Sequence, residues 1–253
     1  MNTQTSTNPR NTPSADRWFY PAASLLLLIL IFIGFRMFYL EGKAYPGRPL
    51  TPSIRGIVIA HGVLMTAWMI LAVVQPMLVA FRLKRWHRQT GMFGAVLAIA
   101  MVVIGIRVSI EASRVNPPDM LMFGLNTKQF MAIPFLSIIA FGAYVFIGVW
   151  FRNRQEIHRP MMFMSSVSVV AAATGRMPAL NAWYAGTWIE VLFTTYLSSL
   201  LVTVLLLAIK CAVSRRLDRW FAIGTGSLVL ISIGISLVAR TAAWDAIANL
   251  LLH

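Results

Sequence analysis

Long apolar runs separated by short polar connections dominate the chain, at roughly 19–40, 55–81, 90–112, 128–151, 160–182, 187–209 and 220–243. A hydrocarbon core about 30 Å thick is crossed by about 20 residues rising about 1.5 Å each, so every run is long enough for a membrane-crossing helix. No stretch alternates apolar and polar residues with the period of two that a half-buried strand requires. The pattern predicts an all-α, polytopic helical membrane protein whose seven transmembrane helices occupy 19–253. The fifth run stands apart because it carries Ser165, Ser166, Ser168, Thr174 and Arg176. It is expected to face other helices more than lipid. Residues 1–18 are polar, rich in Asn, Thr, Ser and Pro, and uncharged at their start, unlike the n-region of a signal peptide. They read as a disordered cytoplasmic tail.

Composition agrees: 58% of residues are hydrophobic and 12% charged, against about 25% charged in soluble domains. The net charge of +14 would suggest nucleic acid in a soluble protein, but here the basic residues first have to be tested against topology. Arg10, Arg17, Arg82, Lys84, Arg85, Arg88, Arg152, Arg154, Arg159, Lys210, Arg215, Arg216 and Arg219 fall on one set of connections, and Lys43, Arg48, Arg55, Arg114 and Lys128 on the other, thirteen against five. The positive-inside rule makes the first set cytoplasmic. The expectation is a multi-pass protein of the bacterial inner membrane, with its N-terminus cytoplasmic and its C-terminus periplasmic or extracellular. Its partner is then the lipid bilayer and not nucleic acid. Trp18, Trp86, Trp150, Trp183, Trp188, Trp220 and Trp244 fall at run ends, where indoles favour headgroup depth, and Trp68 alone lies inside a run. The single cysteine, Cys211, has no partner in its own chain.

The segments AFRLKRWHRQTGMFG and WFRNRQEIHRPMMFM lead from the second run to the third and from the fourth to the fifth. Each has Phe-Arg, a short polar turn and His-Arg opening the next helix. This pattern suggests a parallel repeat of helical hairpins, with shared topological constraint as the alternative.

His61, Trp68 and Gln75 are seven apart and share one helical face, which should point into the bundle. Two roles are open to them: knitting helices together, or touching a ligand. Arg107 and Glu111, four apart, are placed to pair. With Arg176 and the shallower Glu190 they are candidates to line an outward-facing polar pocket that prefers a small or anionic ligand, and snorkelling to the interface is the alternative. His87 and His158 hold equivalent places in the two hairpins, as candidate haem b or metal ligands or as headgroup-level anchors. Met161, Met162 and Met164 evoke copper, but the sequence shows no Cys or paired His beside them, and thioethers are common filler. Phosphate loops, His-Glu-x-x-His, Cys-x-x-Cys and Gly-x-Ser-x-Gly are missing, so no hydrolase or ATPase activity is assigned.

The pattern His61, Trp68, Gln75, His87, Arg88 and Gly91, followed by His158, Arg159, Arg176 and Pro178, resembles a family of bacterial polytopic membrane proteins of unknown function. The resemblance covers the second to fifth runs, departs at Pro160, and implies no reaction. More loosely, histidines near helix ends are similar to b-type membrane cytochromes, although His61 lacks a mate at its own depth. Three functions stay open: binding or moving a small or lipid-like ligand through a pocket in the outer half, haem-based redox, and non-catalytic assembly or scaffolding.

Overall fold

The computed structural model describes residues 14–45, 48–117 and 119–252. It is built almost entirely of helices. The first, α1 (Ser14–Gly34), breaks at Phe35 and continues as the short α2 (Arg36–Glu41). A two-stranded ribbon, β1 (Lys43–Tyr45) and β2 (Arg48–Pro49), leads to two long hairpins: α3 (Arg55–Ala80) with α4 (Lys84–Val115), and α5 (Thr127–Trp150) with α6 (Gln155–Thr174). Two short helices follow, α7 (Pro178–Asn181) and α8 (Trp188–Phe193), then α9 (Leu197–Ser214), α10 (Arg219–Val238) and α11 (Ala242–Leu252). Among the described residues, α1, α3, α4, α5, α9 and α10 are long and apolar enough to cross a membrane.

The fifth run falls outside that set and sits at the centre of the bundle. Helix α6 packs against α1, α3, α5, α9 and α10. Most of it is buried from Ile157 through Thr174, Arg159 and Ala172 being the exposed positions, with Ser165, Ser166 and Ser168 almost fully enclosed. Its hydroxyls are hydrogen-bonded: Ser165 Oγ donates to the Met162 carbonyl at 2.6 Å and Ser168 Oγ to the Ser165 carbonyl at 2.8 Å. A helix with so little of its surface open to lipid has little need of strong hydropathy, which is why composition alone under-rates it.

Three boundaries differ from the sequence pattern for identifiable reasons. Of the expected tail, residues 1–13 lie outside the described residues, whereas 14–18 are already the first turns of α1, with Asp16 at the favourable end of the helix dipole. Asp16 also forms an ion pair with the buried Lys210 of α9, which is therefore not a free headgroup cation. The sixth run is not one helix. Thr194 interrupts it with φ 45°. Its carbonyl accepts from the Tyr184 hydroxyl at 3.0 Å, and the neighbouring Thr195 hydroxyl donates to the Ala171 carbonyl at 3.0 Å, so side-chain bonds compete with the helical ladder. The seventh run ends at Val238, and α11 turns back across the ends of α4 and α5. Trp244, expected at headgroup depth, is 3% exposed and donates Nε1–H to the Lys128 carbonyl at 2.9 Å. The other six indoles at run ends are exposed.

Candidate functional site

The polar stripe of α3 reaches different neighbours at each level, because one helix face spans the depth of the bundle. Trp68 is fully packed: its Nε1–H donates to Ser166 Oγ at 3.1 Å and its ring meets Phe141 edge-on at 4.9 Å. Its polar atom is satisfied within the protein, so its contacts are those of a packing residue.

Toward the N-terminal end of α3, the His61 ring lies against α4 at Gly105. A Cβ there would stand 2.7 Å from Ile138 and 3.3 Å from His61 Cε1, so glycine admits the ring. The His61 Nδ1 is buried without a hydrogen-bond partner. Arg176, just beyond the end of α6, is near enough to act electrostatically on His61. Its guanidinium lies 4.3 Å from the Phe35 ring centre and donates to the Ala172 carbonyl at 2.6 Å. Phe35 is set by its neighbour Gly34, where any Cβ would collide with the backbone of Ala173. Gly34 and Gly105 thus set how closely the helices approach around His61 and Arg176. The sequence signal for Gly105 is a small residue inside a run of large ones, which marks close helix approach.

The remaining candidates are not gathered here. Arg107 is exposed. Glu111 pairs with Arg114 at 3.0 Å instead of with Arg107, and Arg114 also donates to the Leu251 carbonyl at 3.0 Å, a partner supplied by α11. Glu190 accepts from the Gly186 amide at 2.6 Å and lines a shallow cleft of ≈ 250 Å³ with Phe123, Gly175 and Asn181. Beneath that cleft Asn181 donates to the Thr174 carbonyl at 2.8 Å and accepts from Tyr184 at 2.7 Å, which ties the segment after α6 to the bundle. Burial pushes the Tyr184 phenol up to about 12, so it stays a neutral donor. A larger cleft of ≈ 480 Å³ opens between α4, α5 and α11, lined by Arg114, Asn126, Lys128 and Asp245.

Gln75 lies at the other end of α3, where the amide orientation that satisfies its neighbours has its oxygen accepting from Thr90 Oγ1 at 2.7 Å and from the Gly91 amide at 3.0 Å, and its nitrogen donating to His87 Nδ1. His87 and His158 meet there, with ring centres 6.3 Å apart and planes at 85°. Each is the fourth residue of its helix. His158 Nδ1 lies 2.8 Å from the Gly148 carbonyl, which only accepts, so this nitrogen carries the proton. Among the described residues no cluster of three or more His, Cys, Asp or Glu forms a metal-binding group. The residues expected to share one pocket are thus separated: His61 and Arg176 lie toward one end of α3, and Gln75 lies at the other, against His87. No protein-family model, curated protein or solved structure matches the chain.

Proposed function

We propose that the protein is a seven-helix protein of the bacterial inner membrane, with its N-terminus cytoplasmic and its C-terminus outside, which binds or moves a small or lipid-like ligand at the outer His61–Arg176 site. The seventh crossing is α6, and the two hairpins form a parallel repeat. The observation that carries the ligand reading is the buried, partnerless Nδ1 of His61 beside the Arg176 cation. A polar atom left unpaired at that depth is costly, and a ligand with a carboxylate, phosphate or carbonyl headgroup would complete its hydrogen bonding next to a positive charge. The hydrocarbon surroundings suit a ligand whose remaining body is apolar.

The test is mass spectrometry of molecules that copurify with the protein in native-lipid nanodiscs, comparing wild type with His61→Gln, Arg176→Gln and Arg107→Gln. The first two variants should lose a bound species with little change in melting temperature, and Arg107→Gln should keep it. The same bound content in all four proteins would remove the site. Loss of stability in step with loss of binding would favour the scaffold reading.

A further inference from the structure

The outer ligand does not account for the charge at the opposite end of the bundle. There the α3–α4 and α5–α6 turns stand side by side, since His87 and His158, each the fourth residue of the helix that follows its turn, bring their ring centres to 6.3 Å. The first turn and the start of α4 present Arg82, Lys84, Arg85 and Arg88, and the second turn presents Arg152 and Arg154, all exposed. We propose that this surface binds acidic phospholipids of the leaflet around it, holding their headgroups through the phosphates. The proposal rests on the membrane reading of the helices and is independent of the outer ligand.

Three observations carry this partner. The first is that the protein does not neutralise these charges itself. Among the described residues the ion pairs are Lys43–Glu41, Arg114–Glu111 and Lys210–Asp16, and the two exposed ones lie at the other end of the bundle. The side chains of Arg82, Lys84, Arg85, Arg88 and Arg152 make no hydrogen bond or ion pair among the described residues, and Arg154 meets the Phe151 ring at 5.8 Å. Nearby acids are few and mostly committed: Asp16 is held by Lys210, and Asp218 caps α10 and accepts from Tyr20 at 3.5 Å, which leaves Glu156. Like charges crowded within a Debye length of about 8 Å repel one another, and an anion from outside relieves that repulsion.

The second observation is how the cations grade into apolar surface. Trp86 and Trp150 stand among them, 59% and 69% exposed. On α4, Phe93 follows Trp86 by seven residues, about 10 Å further along the same face, and is exposed as well. On α5, the exposed Phe146 has its ring 5.7 Å from that of Trp150. Each strip thus runs from cation to indole to phenyl down the flank of the bundle, the order in which a phospholipid presents phosphate, interface and acyl chain. A nucleic acid or an acidic protein would meet the cations from water and leave the indoles and phenyls uncovered.

The third observation is the kind of cation. Five of the six are arginines, whose planar guanidinium forks match phosphate oxygens two at a time.

The experiment measures binding of phosphatidylglycerol carrying a fluorescent acyl chain to the full-length protein in a neutral detergent, with unlabelled competitors. Unlabelled phosphatidylglycerol and cardiolipin should displace the probe, and phosphatidylcholine should not. Binding should weaken as salt is raised, because exposed charges are screened. The triple variant Lys84→Gln, Arg85→Gln, Arg88→Gln should lose affinity on the order of a hundredfold, at about fivefold for each cation near a headgroup surface, and Arg85→Lys with Arg88→Lys should keep most of it. Arg55→Gln, at the other end of the bundle, and His61→Gln, in the outer ligand site, should bind as wild type does, so loss of the outer ligand and loss of this surface are separate results. The competition series on wild type needs no variant and decides the matter even if the triple variant fails to fold. Equal displacement by phosphatidylcholine, a folded triple variant that binds as wild type does, or equal weakening by Arg55→Gln would each overturn the proposal. Displacement by free glycerol phosphate or by an acidic peptide as effective as phosphatidylglycerol would assign the surface to a soluble anion and overturn it too.

Discussion

Arg107 and Arg176 are equivalent in a hydropathy profile and differ completely in the bundle: one is exposed, the other is stacked on Phe35 beside His61. The deciding facts are long-range, since Phe35 reaches Arg176 from the end of α1 and Gly34 sets how closely the two helices approach. The face shared by His61, Trp68 and Gln75 is legible from their seven-residue spacing, but spacing cannot say what stands opposite. Opposite Trp68 stands Ser166, whose oxygen satisfies a buried indole N–H. Ser166→Ala should therefore destabilise the protein by about 1–3 kcal/mol, because it leaves that donor unpaired while removing little volume. Thermal unfolding in detergent would show it. A variant as stable as wild type would mean that water reaches the indole.

Elements were legible to the extent that lipid writes them. Helices α3, α4 and α5 face hydrocarbon along part of their length and stand out as apolar runs, whereas α6 is recognisable chiefly by its serines and small residues. The break at Thr194 was not legible, because it depends on Tyr184, Ala171 and Ser236 closing around it. The start of α1 was hidden for a similar reason. Lys210 reads as one more basic residue at a helix end, and its partner Asp16 lies 194 positions away. Both side chains are mostly buried, 7% and 15% exposed, and Lys210 also lies 5.3 Å from the Phe19 ring centre. Breaking a buried pair by removing one partner costs about 3–5 kcal/mol, while replacing both with apolar groups is often near neutral. Asp16→Asn should accordingly lower stability and speed hydrogen exchange in the first turns of α1. The double variant Asp16→Leu, Lys210→Met should recover most of the loss. If the double variant were worse than the single one, the pair would be a net source of stability and not chiefly a specifier of where α1 docks.

For the whole molecule, the open question is the number of crossings, which turns on α6. Helix α5 is apolar enough to span by itself, and residues 151–154 form a tight turn into α6. The hairpin closes at one end through the Gly148–His158 contact. At the other end Phe123, just before α5, and Gly175, just after α6, line the same cleft. A helix of 20 residues reaches about 30 Å, the thickness of the hydrocarbon core, so if α5 crosses, α6 returns. Seven crossings put the two termini on opposite sides. Setting aside Lys210, which is neutralised by Asp16, the basic residues still stand twelve against five in favour of a cytoplasmic N-terminus. Cys211 is the only cysteine, so Cys211→Ser gives a cysteine-free background in one step. Single cysteines at the exposed positions Asn153, Leu217 and Asp119, and at His253, can then be probed on intact cells with a membrane-impermeant maleimide. Asp119→Cys and His253→Cys should label, and Asn153→Cys and Leu217→Cys should label only after permeabilisation. Labelling of Asn153→Cys together with Asp119→Cys in intact cells would mean that α5 does not cross. Protection of His253→Cys would make the crossing number even and withdraw the outward-facing placement of the His61–Arg176 site.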